Sequence, residues 1–336
     1  MHNLIQPPRR RQSLKRMIAI TSLLTLGLSV TGTSLAQSFP SKPVRIVVPA
    51  AAGGNLDLVT RNIAQKLSEQ IGQPVMVENR PGGNYKVGVD FVAKAPADGY
   101  TYLAVADSFL YTPMILRNAG FDPLKDFTGV GMVAMVPQIL VVHPSVPANS
   151  VTELIALAKR RPGELNYGSS GTGATGHIAA ELFNLQAGIS MTHVPYKGNA
   201  PALIDLVGGR LSVMFDTIST SASHVRGGTL KALGVTTLTR SPILPNVPTV
   251  SDSGLPGYEA AIFNGFVALA GTPPDILKRM NAELRKAVQQ TDIRTRMQEQ
   301  GVDLVASESP EQFTEFMKTQ AQKYAKVVKA ANIRAD

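Results

Sequence analysis

Past residue 40 the chain alternates short apolar runs with amphipathic stretches of helical period. The apolar runs are VRIVV (44–48), PVMVE (74–78), YTYLAVA (100–106), QILVVH (138–143), THVPY (192–196), LSVMFD (211–216) and KALGVTT (231–237), with a shorter strand-like run at Leu165–Tyr167. All are rich in Val, Ile and Leu without strict alternation, the pattern of strands buried on both faces of a sheet. Helical spacing covers 57–71, 151–160 and 176–187. This order predicts an α/β protein with largely parallel sheets.

Boundary signals agree with that layout. Ser150-Val151-Thr152-Glu153 reads as a capping box, and Arg161-Pro162-Gly163 stops the helix it opens. Thr272-Pro273-Pro274-Asp275 and Ser309-Pro310-Glu311-Gln312 open two long amphipathic helices in the C-terminal third. In the last of them Phe313, Phe316, Met317, Tyr324, Val327 and Val328 share one face, a packing surface. Two segments, VPQILVVHP (136–144) and FNGFVALAG (263–271), can run between lobes. If both cross, residues 37–137 and 265–336 form one lobe and 138–264 the other, a double crossover able to close by hinge motion around a ligand.

The N-terminus changes the reading of charge. Arg9, Arg10, Arg11, Lys15 and Arg16 precede an uncharged apolar core at 17–30, and Ser34-Leu35-Ala36 supplies small residues for cleavage before Gln37. Residues 1–36 therefore read as a secretory signal peptide that places the mature chain in the periplasm. The apolar run is short for a membrane anchor. RRRQSLK resembles a twin-arginine signal, but Ser13 stands where a bulky apolar residue is usual. The whole chain of 336 residues carries a net charge of +9, yet this segment holds five of its 33 lysines and arginines and none of its 24 acids, leaving +4. With no basic tract, +4 is poor support for nucleic-acid binding. The absence of Cys excludes disulfides, thiol nucleophiles and thiolate metal sites.

The chemistry concentrates in glycine-rich turns. YGSSGTGATGHIAAELF (167–183) runs strand, turn, helix, and contains Gly171-x-Gly173-x-x-Gly176, the spacing of a dinucleotide fingerprint. A dinucleotide site also wants an acid at the end of the next strand, but THVPYKGN ends in Tyr196, Lys197 and Gly198. What survives is an anion site made of the hydroxyls of Ser169, Ser170, Thr172 and Thr175 with the backbone amides of a helix start. A well-capped turn without a ligand fits the stretch equally well. PAAAGGNLD (49–57) and ENRPGGNYKVG (78–88) are built alike, so three such turns meet at the carboxyl ends of strands, where open α/β sheets bind ligands. Asp57, Asp107 and Asp216 sit at or just after strand ends and can hold a ligand amine or hydroxyl, or cap a helix. His177 and Glu181 are four apart, close enough for a metal pair, but no third ligand stands out. GSSGTG is not a nucleophile elbow, and His193 reads as a structural hydrogen-bonder. No enzyme signature is present.

Taken together, FPSKPVRIVVPAAAGGNLD, QPVMVENRPGG, ADGYTYL, LNYGSSGTGATGHIAAELF, HVPYKG, ALIDLVGGRLSVMFD and LPNVPTVSDSGLPGYEA occur in an order and spacing that resemble the Bug-type extracytoplasmic solute receptors of tripartite tricarboxylate transporters. The resemblance runs from Phe39 to Asp336. It implies a two-lobed periplasmic-binding-protein fold (Venus-flytrap, type II) and no cofactor or metal. It also implies a small carboxylate ligand (a dicarboxylate, an acidic amino acid or an aromatic acid) delivered by a monomer to membrane permease subunits. A ligand sensor for a membrane signalling partner and an exported enzyme remain as alternatives. Ligand contacts are implied for Ala50, Ala52, Gly53, Gly54 and Asp57 in the first loop, Tyr85 and Lys86 in the second, and Asp107 and Ser108 after the third strand. The second lobe would add Ser169, Gly171, Thr172, Ala174, Thr175 and Asp216, and the second crossover Phe263. Such receptors often hold carboxylates through backbone amides, hydroxyls and water rather than a bidentate arginine. The sequence departs from the family at Ala50, where a bulky aromatic is usual, at GGNY followed by Lys86 instead of GAGG, at Ala174, where a hydroxyl is usual, and at Phe263, which replaces the crossover Trp.

Overall fold

The first three parallel strands set the direction of everything that follows. In the computed structural model, which describes His2, residues 39–83 and residues 85–335, β1 (Val44–Val48) leads through α1 (Asn55–Ile71) to β2 (Val75–Asn79), then through α2 (Lys86–Ala93) to β3 (Thr101–Ala106). Both β2 and β3 pair with β1 in parallel, as helical crossovers permit. After α3 (Ser108–Ile115) come β4 (Phe127–Val136) and, one residue later, β5 (Gln138–Val142). Then follow α4 (Val151–Arg160), β6 (Asn166–Ser169), α5 (Thr175–Ala187), β7 (Thr192–Pro195), α6 (Asn199–Val207), β8 (Val213–Thr217), α7 (Ile218–Arg226) and β9 (Lys231–Val235). The chain ends with β10 (Ile262–Leu269), α8 (Pro274–Gln289), α9 (Thr291–Glu299), β11 (Asp303–Leu304) and α10 (Pro310–Ala330). From Lys42 onward the described residues form one compact unit. Apart from His2, the export segment 1–36 lies outside the described residues.

Two sheets result, in the orders β11-β4-β10-β3-β1-β2 and β7-β6-β8-β5-β9. They are mixed rather than largely parallel. β10 runs antiparallel to both β3 and β4, and β5 antiparallel to both β8 and β9. The reason is topological, since β5 and β10 bring the chain across from the other sheet instead of returning through a helix. FNGFVALAG is therefore a strand of the first sheet over Ile262–Leu269. Because β4 and β5 are separated only by Pro137, the carboxyl end of β4 abuts the amino end of β5. Val136 is in register with Ile262, and Gln138 with Thr217 at the carboxyl end of β8. The carboxyl ends of β1, β2 and β3 therefore face those of β6, β7 and β8 across the joint.

Packing explains the strand that hydrophobic pattern does not reveal. β4 reads FTGVGMVAMV, and a β-carbon at Gly129 would lie 2.8 Å from Thr314 Oγ1, while one at Gly265 of β10 would lie 2.4 Å from Phe313 Cζ. Glycine lets α10 lie directly on the β4–β10 pair, and that same glycine weakens the strand signal. Phe313, Met317, Tyr324, Val327 and Val328 are buried as their spacing predicts, in a core that also takes in Tyr167, Ile178 and Phe183 of the second sheet's layer. Away from the joint, Ser150 accepts from Glu153 N at 3.1 Å and Ser309 from Gln312 N at 3.2 Å, so both predicted caps form.

The three fingerprint glycines have backbone reasons. Gly171 and Gly173 hold φ of 138° and 76°, and a β-carbon at Gly176 would sit 2.6 Å from the carbonyl oxygen of Phe215, pressing α5 off β8. Gly176→Ala should therefore destabilise the fold by about 1–3 kcal/mol, read as a lower urea midpoint at unchanged slope. An unchanged midpoint would show that α5 does not need this close approach.

Candidate functional site

Six helices start at the strand ends that face the joint, and their starts are chemically alike. Among the described residues no side chain caps α1, α2, α3, α5, α6 or α7, whose N-cap positions are Gly54, Tyr85, Asp107, Ala174, Gly198 and Thr217. An α-helix leaves its first N–H groups without intrahelical partners and carries a partial positive charge there. Three such starts come from each sheet's layer.

The first loop is held from below. Asp57 is buried, and its carboxylate accepts from Gly53 N at 2.9 Å, Asn79 Nδ2 at 2.8 Å and Arg61 Nε at 3.1 Å. Burial raises this carboxyl, but the bonds from Arg61, Gly53 and Asn79 outweigh burial and hold it below the usual aspartate value. Asn79 also donates to the carbonyl of Ala50 at 3.1 Å. Asp57 and Asn79 thus shape the loop carrying Ala50, Ala52, Gly53 and Gly54, and residues 51–54 stand exposed above them. Asn79 carries no local sign of this role beyond its place at the end of VMVEN, because its partner Asp57 stands 22 residues earlier, at the start of the preceding helix.

In the second loop, Tyr85 adopts φ 73° and lies beside Ser108 and Asp107. Lys86 is paired with Asp90 at 2.9 Å on the same helix, both about 40% exposed, so its charge is already matched at the surface. Asp107 and Ser108 close β3. Asp107 is 4% exposed with Oδ1 unpartnered, and burial pushes its carboxyl up to about 7. The Ser108 and Tyr111 hydroxyls are likewise buried without a well-formed hydrogen bond.

On the other side Ser169 is 1% exposed and serves its own turn. Its Oγ donates to Gly171 O at 3.0 Å, accepts from Gly171 N at 3.2 Å and meets His193 Nε2 at 2.7 Å. Those bonds are satisfied together when His193 carries its proton on Nε2. His177 Nδ1 accepts from Gly173 N at 2.9 Å, and the two imidazoles stack at 3.7 Å. Burial, aided for His177 by its neighbour, lowers His177 to about 3 and His193 to about 4, so both rings are neutral. The Ser169–His193 distance suits a nucleophile and its base, but Ser169 is buried and spends both remaining bonds inside the loop. Glu181 is held by the phenol of Tyr167 rather than sharing a metal with His177, and no group of three metal-binding side chains occurs among the described residues. Above the imidazoles, Thr172 is exposed, and Gly171, Ala174 and Thr175 are half-buried.

Asp216 is fully buried and accepts from Ser221 Oγ at 2.7 Å, Asn199 Nδ2 at 2.8 Å and the Thr220 hydroxyl. Burial raises this carboxyl while those bonds lower it, with burial the larger effect. Asp216 therefore ties the starts of α6 and α7 together. Phe263 is 1% exposed between Phe313 and Phe316, at ring distances of 5.9 and 5.4 Å, which makes it a core residue under the joint.

A sequence model of the tripartite tricarboxylate transporter family receptor matches residues 59–333. The chain belongs to that receptor family. Protein BugT of Bordetella pertussis is 32% identical over 322 residues, spanning 94% of this chain and 98% of that one. An R. palustris protein solved with adipate is 37% identical with a TM-score of 0.73, covering 88% of this chain and 99% of its own. MatC from Rhodopseudomonas palustris, solved with bound malate, is 30% identical with a TM-score of 0.69, covering 86% and 100%. The fold of the receptor is thus the two-lobed periplasmic-binding-protein fold.

The histidine pair gives the receptor an acid limit. In the unfolded chain both rings protonate near the ordinary value of about 6.5, whereas in the folded chain they resist until about 4 and about 3. Stability from this pair is therefore full above about 6.5 and is lost as the pH falls toward 4, because the unfolded state binds more protons there. The urea midpoint should drop between pH 7 and pH 4.5. In His193→Gln, which keeps a donor toward Ser169, the drop should be shallower. Equal drops in both would remove the pair from the acid response.

Proposed function

We propose that this receptor captures a small organic carboxylate between its lobes in the periplasm and hands it to the membrane permease subunits of a tripartite transporter. The observation that carries the reading is the set of uncapped helix starts, three from each side, at glycine-rich or buried polar turns. A carboxylate bridging both sides gains amide hydrogen bonds from each, which favours the closed arrangement. The adipate and malate held by the similar R. palustris proteins support the same ligand class. The lobes divide at Pro137 and again ahead of β10, and the signal peptide supplies export. Lys86 and Asp57 act on the ligand indirectly, since each already has partners.

Magnitudes agree with a clamp. A helix start is worth about 0.3–1 kcal/mol to an anion in water-exposed geometry, so neither side alone reaches the roughly −8 kcal/mol of micromolar binding. Closure removes water and strengthens each bond.

Calorimetry with C4 to C6 dicarboxylates, amino acids and aromatic acids should find at least one micromolar ligand, with small-angle scattering showing compaction on binding. Asp57→Ala should weaken that binding about tenfold through the loop while the protein stays folded, in line with the loss of one or two net hydrogen bonds. Binding of no carboxylate, or chemical conversion of the bound compound, would defeat the proposal.

A further inference from the structure

Of the polar groups at the strand ends, one pair of oxygens is left without partners. At the end of β3, Asp107 Oδ1 is buried without a hydrogen bond, and so is Asn264 Oδ1 on β10, while the buried Ser108 hydroxyl lies against the phenols of Tyr85 and Tyr111. Asn264 is in register with Ala106, the residue before Asp107, so these atoms share one corner of the first sheet. Asp107 is 4% exposed and Asn264 1%. An unpaired polar atom in such a place costs about 1–3 kcal/mol, more when it is charged. Two acceptor oxygens left over in one corner mark a place built for a partner.

The kind of partner follows from the atoms. The hydroxyls of Ser108 and Tyr111 can donate or accept, but a carboxylate oxygen and an amide oxygen only accept. One N–H of Asn264 Nδ2 is donated to the carbonyl of Phe263 at 3.0 Å. Around Asp107, the phenols of Tyr85, Tyr111 and Tyr324 and the ammonium of Lys323 all lie within reach of its charge. Lys323 donates to Glu259 O at 3.2 Å, and Glu259 in turn acts on Lys323 and Tyr324. None of these gives Asp107 Oδ1 a hydrogen bond. A second ligand carboxylate brought here would need Asp107 protonated, whereas an ammonium or hydroxyl would pair with the Asp107 and Asn264 oxygens as acceptors.

We propose that Asp107 and Asn264 receive a hydrogen-bond donor of the ligand, an ammonium or a hydroxyl, so that the receptor selects amino or hydroxy acids over unsubstituted acids of the same length. This rests on the carboxylate reading above, with the helix starts taking the carboxylate and the β3 corner taking the donor. The raised carboxyl of Asp107 accords with a site that stays short of donors until a ligand supplies one.

Matched acids test it by calorimetry on the mature chain: succinate, aspartate and malate; glutarate, glutamate and 2-hydroxyglutarate; adipate and 2-aminoadipate. In at least one set the substituted acid should bind tenfold or more tightly than the plain diacid. Asp107→Ala, which removes the acceptor, should narrow that ratio to within threefold by weakening the substituted acid. An amino acid preferred over its hydroxy counterpart identifies an ionic contact, and equal preference identifies a neutral one. Plain diacids binding as well as or better than their substituted partners in every set would overturn the donor proposal and leave the carboxylate reading standing. So would a ratio that Asp107→Ala leaves unchanged. If the variant fails to fold, the wild-type ratios alone decide. If no acid binds, the carboxylate reading falls and this proposal falls with it.

Discussion

One covalent constraint governs this molecule: β4 of one sheet and β5 of the other are joined through a single residue, Pro137. A strand that leaves one sheet at its carboxyl end and enters the next at its amino end obliges the two sheets to meet there. Because β10 and β5 each lie antiparallel to their neighbours, the parallel strands flanking them all finish at that meeting place. Every helix that follows such a strand then starts there too. The concentration of backbone N–H groups at the joint is a result of chain direction.

That economy explains the division of labour among side chains. The buried polar residues closest to the loops mostly face inward: Asp57 and Asn79 brace one loop, Ser169, His177 and His193 another, and Asp216 the starts of α6 and α7. They fix backbone so that the backbone can present amides, an arrangement in which preorganisation resides in supports rather than contacts. Asp107 is the exception among the three strand-end aspartates, and it is the one with an oxygen left over.

Much of this could be read from the chain. The runs VRIVV and TYLAVA announce β1 and β3 because both faces are covered, and Ser150 and Ser309 announce their helices because a side-chain cap is a local event. The turns were legible as glycine-rich strand-to-helix transitions. β4 was not, since Gly129 makes room for Thr314 of α10 and Gly131 for Asn281 and Leu284 of α8, and no local window contains those residues. The roles of Asp57, Asp107 and Asp216 were equally closed to inspection. All three are acids at strand ends, and only their neighbours in space, Arg61 and Asn79 for the first, Ser221 and Asn199 for the last, separate a brace from an open acceptor.

The contact between Gly173 and Ile115 joins a turn of the second sheet's layer to α3 of the first. A β-carbon at 173 would fall 2.4 Å from Ile115 Cδ1, in a backbone conformation that already excludes most side chains. The two sides therefore meet backbone against methyl, with nothing there to compress. Such a contact couples the two sides through one position: any side chain at 173 would have to displace Ile115, so the spacing between the turn and α3 depends on the smallest residue being kept there.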